Sequence, residues 1–168
     1  MMALTAMVVF PVFDAIAQQE IDYTLHAKFI YHFTKYIQWP EEKRTGNFVV
    51  GVAGNDDVYA AMDRIAQIKK IKGQKLVVLK IKNTDDPSNC HILFVGKAKN
   101  SALPGFVLRI ANKAVLIITE KSGSTRQGSD INFVIKDNNL NFELNSAGVS
   151  GKGMAISGEL RNLALRNE

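Results

Sequence analysis

The side chains with the most obvious chemistry are three histidines and one cysteine, and their spacing gives them little to do together. His26 and His32 are six residues apart in a segment of helical periodicity, so they face different sides of a helix and do not share a metal ion. Cys90 and His91 are neighbours at the start of an apolar strand. Adjacent strand residues point to opposite faces, which denies the thiol a base within hydrogen-bond reach. A buried, inert thiol is the default for Cys90, and a single cysteine has no internal disulfide partner. "SAGVSGKG" (146–153) stands where a phosphate loop would, after a strand and before a helix. Ser146 replaces the first glycine and Gly153 the Ser or Thr that magnesium needs, so a flexible turn is the simpler reading. "GVAGND" (51–56) lacks the spacing of a dinucleotide fingerprint. No catalytic residue, metal site or cofactor is expected.

The most polar loop is "KSGSTRQGSD" (121–130), which joins two apolar strands. Its glycines permit unusual backbone geometry, and Arg126 carries a fork of charged donors. Two readings stand side by side: a solvated surface loop, or a loop that orders against a partner.

The elements that would position it follow from periodicity. In "FIYHFTKYIQWP" and the residues before it, Tyr23, His26, Ile30, Phe33 and Ile37 recur at threes and fours, predicting a helix over 22–38 that Trp39-Pro40 ends. "NFVVGVAG" (47–54) predicts a strand, and Asn55 or Asp56 caps a second helix with Val58, Met62, Ile65 and Ile68 on one face. "QKLVVLKI" (74–81), "CHILFVG" (90–96) and "AVLIITE" (114–120) are further strands, with a helix around 100–111. These strand runs are nearly continuous in apolar residues, as in a parallel or mixed sheet covered on both faces. "DINFVIKDNNLNFELN" (130–145) alternates instead and predicts a hairpin. A turn at Asn138-Asn139 pairs Ile135 with Phe142 and Phe133 with Leu144; a turn at Asp137-Asn138 preserves the same face. One final helix is expected to carry Met154, Ile156, Leu160, Leu163 and Leu165. The fold class expected is α/β: one domain, a largely parallel mixed sheet flanked by helices, closing with a β-hairpin and a helix.

Length and composition fit one globular unit: 168 residues, 46% hydrophobic and 22% charged. Net charge is +5. The densest basic group, Lys69, Lys70, Lys72 and Lys75, is interrupted by Gly73 and Gln74, whereas a nucleic-acid reader concentrates its charge on one element. Nucleic acid is therefore not an expected partner. Residues 2–13 are apolar and Ala15-Ile16-Ala17 is a small-residue cleavage pattern, so residues 1–17 are expected to be a signal peptide, with 21–168 as the exported domain. No Lys or Arg precedes the apolar run, which a misplaced start codon would explain.

Several motifs, in order, carry a family resemblance over residues 22–165: "AKFIYHFTKYIQWP", "NFVVGVAG", "CHILFVG", "VLIITE", "RQGSDINFVIKDNNLNFELN" and "GMAISGELRNLA". Together they resemble the YfiR family. The resemblance implies a periplasmic, non-enzymatic regulator that binds the sensor region of an inner-membrane diguanylate cyclase (YfiN-like) and lowers cyclic-di-GMP signalling and biofilm formation. An OmpA-like outer-membrane lipoprotein (YfiB-like) would sequester it. A homodimer is expected. Phe29, Phe33, Trp39, Pro40, Cys90 and Phe142 are the structural motif positions. Arg126, Gln127, Gly128, Asp130, Glu143 and Asn145 are the expected partner-binding residues. The chain departs from the family pattern at Ser129, where a second glycine is usual, at Asp130, where an apolar residue is common, and at Arg161 after Leu160. The alternative reading is a periplasmic sensor domain that binds a small molecule in a cleft at the strand ends, lined by Trp39 and tyrosines.

Overall fold

The structure, a computed structural model, describes residues 22–167. The expected signal peptide lies outside the described residues. The first helix, α1 (Tyr23–Tyr36), starts at Asp22, whose carboxylate accepts from the Thr24 amide at 2.9 Å. It ends two residues before the expected stop, because Ile37 turns extended and pairs with Ile156. The strand β1 (Ile37–Gln38) thus ties the end of α1 to the C-terminal part of the chain. Next come β2 (Phe48–Ala53) and α2 (Asp56–Ile68), the latter capped by Asn55 through the Val58 amide at 3.0 Å.

A short hairpin that periodicity does not foresee follows: β3 (Lys70–Ile71) and β4 (Gln74–Lys80), joined by Lys72-Gly73. Both turn residues have positive φ, at 48° and 88°, the geometry of a two-residue hairpin loop. Then come β5 (Ile92–Val95), α3 (Leu103–Arg109), β6 (Leu116–Thr119), β7 (Ile131–Lys136) and β8 (Asn139–Leu144).

The end of the chain corrects the expectation of one helix. It is α4 (Ser146–Gly151), β9 (Ala155–Ile156), α5 (Gly158–Leu163) and β10 (Arg166–Asn167). Gly153, at φ 76°, breaks the run and sends Met154 and Ile156 into the core, while Ser157 starts α5 by accepting from the Leu160 amide. The "SAGVSGKG" stretch is therefore mostly the helix α4, capped by Asn145, rather than a flexible turn.

The main sheet has the order β10-β8-β7-β6-β5-β2-β4-β3. Its five central strands, β4-β2-β5-β6-β7, are parallel, β8 is antiparallel to β7, and β3 is antiparallel to β4. This is the expected mixed, largely parallel α/β fold. One sheet face carries α1 and α2 over Phe48, Val50, Ile92, Phe94, Leu116, Ile118, Phe133 and Phe142. The other carries α3, whose Leu103 and Phe106 cover Cys90, Leu93, Val95 and Ile117. Each fully buried large side chain contributes about 1.5–3 kcal/mol.

The β7–β8 turn is Asp137-Asn138, both at positive φ, so Phe133 faces Phe142 and Ile135 faces Leu140. The Asn138-Asn139 placement is thereby corrected: it would put positive φ on a residue that the structure keeps in the ladder.

Candidate partner-binding surface

Residues 120–130 drop from the end of β6 back to the start of β7, a parallel neighbour, without a covering helix. Such a descent needs its own supports. Asp130 supplies one: its amide donates to the Ile117 carbonyl at 3.0 Å, and its Oδ2 accepts from the Ile117 amide at 2.6 Å. Above it lies a single 3-10 turn, Ser124–Gln127, set between Gly123 and Gly128, both left-handed. Gly128 could not be another residue without repacking, because a Cβ there would come within 2.9 Å of Val107 on α3.

The loop has two sides. Inward, Ser124, Thr125, Ser129 and Asp130 are buried, with Ser124 Oγ 3.0 Å from Asn100 Oδ1. Outward, Arg126 and Gln127 are exposed. It is neither freely solvated nor loose, and its polar inner side holds a fixed outer side.

Beneath it runs a chain of polar contacts. Thr119 Oγ1 sits 2.9 Å from Ser129 Oγ and 2.8 Å from Asn132 Oδ1, and Asn132 Nδ2 donates to Glu143 Oε2 at 3.1 Å. Asp130 Oδ2 also accepts from Lys152 Nζ at 2.6 Å, an ion pair whose acid is 1% exposed. Burial pushes the Asp130 carboxyl up, while Lys152 and the Ile117 amide pull it down. Among the described residues no buried side-chain nitrogen or oxygen lacks a hydrogen-bond partner.

The expected contact residues therefore divide. Arg126, Gln127 and the half-buried Gly128 share the outer side of the loop. Glu143, half-buried, lies across the ladder from Asn132 on the adjoining hairpin. Asn145 accepts from the Gly148 amide at 2.8 Å and so caps α4. Asp130 does not reach the surface. Its carboxylate is spent on Ile117 and Lys152, which makes it a support for the loop rather than a contact. Lys152, Thr119, Ser129 and Asn132 were not foreseen, since what unites them is strand order and not spacing.

Between β2 and β5 the cleft at the strand ends, where an α/β sheet usually takes a ligand, is filled by the chain itself, and a pocket of about 290 Å³ beside His26, Glu120 and Phe133 remains at the same end. A Cβ on Gly96, after β5, would lie 2.6 Å from the Gly54 carbonyl, after β2, so the two turns are already in contact. Glu120 seals the same end by accepting from the Lys97 amide at 2.9 Å and from Asn55 Nδ2 at 3.3 Å. His26 Nε2 is 3.8 Å from Glu120; burial lowers its pKa while Glu120 acts the other way. Trp39 does not line this end. It is buried at the opposite end of the strands, donating from Nε1 to the His91 carbonyl at 3.2 Å and standing edge-on to Phe48.

Cys90 is buried, and burial pushes its thiol up to about 11. His91 Nδ1 accepts from the Val49 amide at 3.1 Å, so its Nε2 donates to the Lys43 carbonyl at 2.7 Å. That is a neutral ring, and burial lowers its pKa accordingly. Among the described residues no group of three or more His, Cys, Asp or Glu side chains could hold a metal ion.

The aromatic stripe of α1 does two jobs. Phe33 is buried among Phe142, Phe133 and Phe29, with ring centroids 5.0, 5.9 and 6.0 Å away. Phe29 and Tyr36 are only half-buried and, with Leu140, Leu160 and Leu163, line a mainly apolar groove of about 500 Å³ between α1, β8 and α5.

A family model described as YfiR/HmsC-like matches residues 23–165. The chain belongs to the YfiR/HmsC-like family. That family is one of periplasmic, non-catalytic regulators that act with a diguanylate cyclase. No curated protein sequence matches. Among solved structures, the fold is similar to that of a conserved domain protein from Vibrio cholerae O1 biovar El Tor str. N16961, at 11% identity and a TM-score of 0.58. The match covers 88% of this chain and 60% of that one, and at this identity it speaks for the fold alone. No helix among the described residues is long and apolar enough to cross a membrane. The departures from the YfiR/HmsC-like pattern also find their places. Ser129 and Asp130 are both buried, and the acid at the second position is matched by Lys152.

Proposed function

We propose that this chain is a periplasmic repressor: exported by its N-terminal segment (residues 1–17), folded over 21–168, dimeric, and binding the sensor region of an inner-membrane diguanylate cyclase. By preferring the sensor's inactive conformation it lowers cyclic-di-GMP output and biofilm formation, to the extent of that preference. An OmpA-like lipoprotein would relieve it by sequestration.

The observation that carries this reading is the braced loop. A surface already ordered before contact binds a protein more tightly, since ordering it on contact costs affinity. Arg126 and Gln127 stand on a 3-10 turn fastened from below by Ser124, Ser129 and Asp130. Beside them, Asn132 and Glu143 fix the near edge of the hairpin. The test is calorimetric titration of the cyclase's periplasmic region with the wild type and with an R126E/Q127A double variant. Affinity is expected to fall by at least about tenfold, or about 1.4 kcal/mol, with the thermal midpoint unchanged. Undiminished affinity in the folded variant rules out this loop as the contact.

One observation favours a second reading, a small-molecule sensor. The groove beside Phe29 and Tyr36 has the volume and apolar lining of a ligand site, with His32, Lys28 and Asn141 as polar groups. A metabolite retained through purification and displaced by F29A would support it.

A further inference from the structure

The hairpin β3–β4 gathers charge that is dispersed in sequence. Lys70 lies directly opposite Lys75 in the ladder, and Lys72 occupies the turn between them with a positive φ of 48°. Like charges placed opposite each other on a hairpin are destabilising. Lys69 ends the preceding helix, and Arg44 joins Lys72 across a cleft of about 240 Å³ at the same end of the sheet. Among the described residues, none of these five cations has a carboxylate within ion-pair distance. By contrast, Lys80, at the far end of β4, is paired with Asp56 at 2.7 Å. Arg44 further depresses the pKa of Lys72, whose partial burial is the larger cause. Beside the cluster stands Ile68, 77% exposed at the end of α2.

Lysines on a sheet edge also discourage unwanted strand pairing, which accounts for Lys70 and Lys75. Arg44 Nε and Lys72 Nζ each donate to one backbone carbonyl, of Trp39 at 2.8 Å and of Ile37 at 3.0 Å, which uses one donor of each and leaves both charges without a carboxylate. Edge protection accounts neither for that concentration of charge nor for Lys69 and the exposed isoleucine before it. We propose that this corner of the sheet is a docking surface for anionic phospholipid, with phosphate headgroups held between Arg44 and the hairpin lysines and Ile68 entering the acyl boundary.

Charge complementarity selects the occupant. Four of the five cations are lysines, compact point charges on flexible stems, which suit a diffuse field of headgroups better than bidentate recognition of one carboxylate. A single exposed aliphatic residue followed directly by Lys69 and Lys70 suits a shallow membrane contact, whereas a protein interface needs a packed apolar centre. Topology adds a consequence. The hairpin tip lies at the N-terminal ends of the parallel strands, and the 121–128 loop follows the C-terminal end of β6, so both surfaces can be occupied at once.

The test is co-sedimentation of the exported chain, without residues 1–17, with vesicles of equimolar phosphatidylcholine and phosphatidylglycerol, against pure phosphatidylcholine, at low and physiological salt. Binding is expected only to the anionic vesicles, weakening by about tenfold as salt rises. K70S/K75S should lose about tenfold, and I68S severalfold, while K113S/K136S, which removes the same charge elsewhere, binds like the wild type. K70S/K75S relieves a like-charge pair, so its thermal midpoint should equal or exceed that of the wild type, which separates lost binding from lost folding. Four results overturn the proposal. They are equal losses in the two double variants, equal binding to uncharged vesicles, competition by inorganic phosphate beyond the effect of matched ionic strength, and binding of soluble polyglutamate in preference to the vesicles.

Discussion

Replacing Lys152 with methionine is expected to destabilise the fold by about 3–5 kcal/mol, because it strips the counter-charge from a buried carboxylate and leaves the carboxylate in place. Asp130 is 1% exposed, and Lys152 Nζ reaches it at 2.6 Å. The cost should depend on pH in a definite direction. An acid whose folded pKa lies above its unfolded value binds the extra proton in the native state, so acidification favours that state from the folded value down until the unfolded value is passed. Asp130 is already raised by burial, with Lys152 opposing the rise. Without Lys152 it rises further. The gap between K152M and wild type in urea denaturation should therefore narrow from pH 8 to pH 5. Comparison at equal pH cancels the buried imidazoles of His26 and His91, which are common to both proteins. A gap that widens on acidification contradicts an ionised Asp130 stabilised by Lys152.

Phe33 to alanine is the second large effect, with an expected cost of about 3–5 kcal/mol. Its ring packs edge-on to Phe142 and stacks on Phe133, joining α1 to the β7–β8 hairpin. Phe29, one turn earlier and half-buried at the groove, should cost clearly less in the same substitution. Equal losses would mean that the groove is closed in solution and that Phe29 belongs to the core.

Phe33 and Phe29 also mark what sequence can and cannot convey. Both sit on the same helical stripe, so periodicity assigns both to the sheet-facing side, and it does so correctly. It cannot say that the sheet's edge and α5 stop short of covering Phe29. The strands β5 and β6 were legible for a simple reason: every residue of Ile92–Val95 and Leu116–Thr119 is buried, and unbroken apolar runs mean exactly two covered faces. The hairpin register was not, because the two candidate turns keep the same residues on the same face, and only the backbone decides in favour of positive φ at Asp137 and Asn138.

The same limit governs the candidate surface. Arg126, Gln127 and Gly128 were visible as a polar, glycine-flanked stretch. Asp130 was visible too, but as an exposed charge, since burial of an acid is credible only once its partner is known. That partner is 22 residues away, in the stretch that stands where a phosphate loop would. Lys152, at the C-cap of α4, reaches Asp130 while also donating to the Val115 carbonyl just before β6 at 3.2 Å, an arrangement that strand order creates and local pattern does not announce. The lysines of the β3–β4 hairpin are a parallel case. Gly73 and Gln74 break the run in sequence, yet Gly73 makes the turn that brings Lys70 opposite Lys75.

Cyclic-di-GMP in cells that retain a competent cyclase tests the account most directly. Deleting this gene should raise the level, the wild-type chain should restore it, and R126E/Q127A, exported and folded, should fail to do so. An unchanged level on deletion, or full restoration by that variant, contradicts repression through the braced loop.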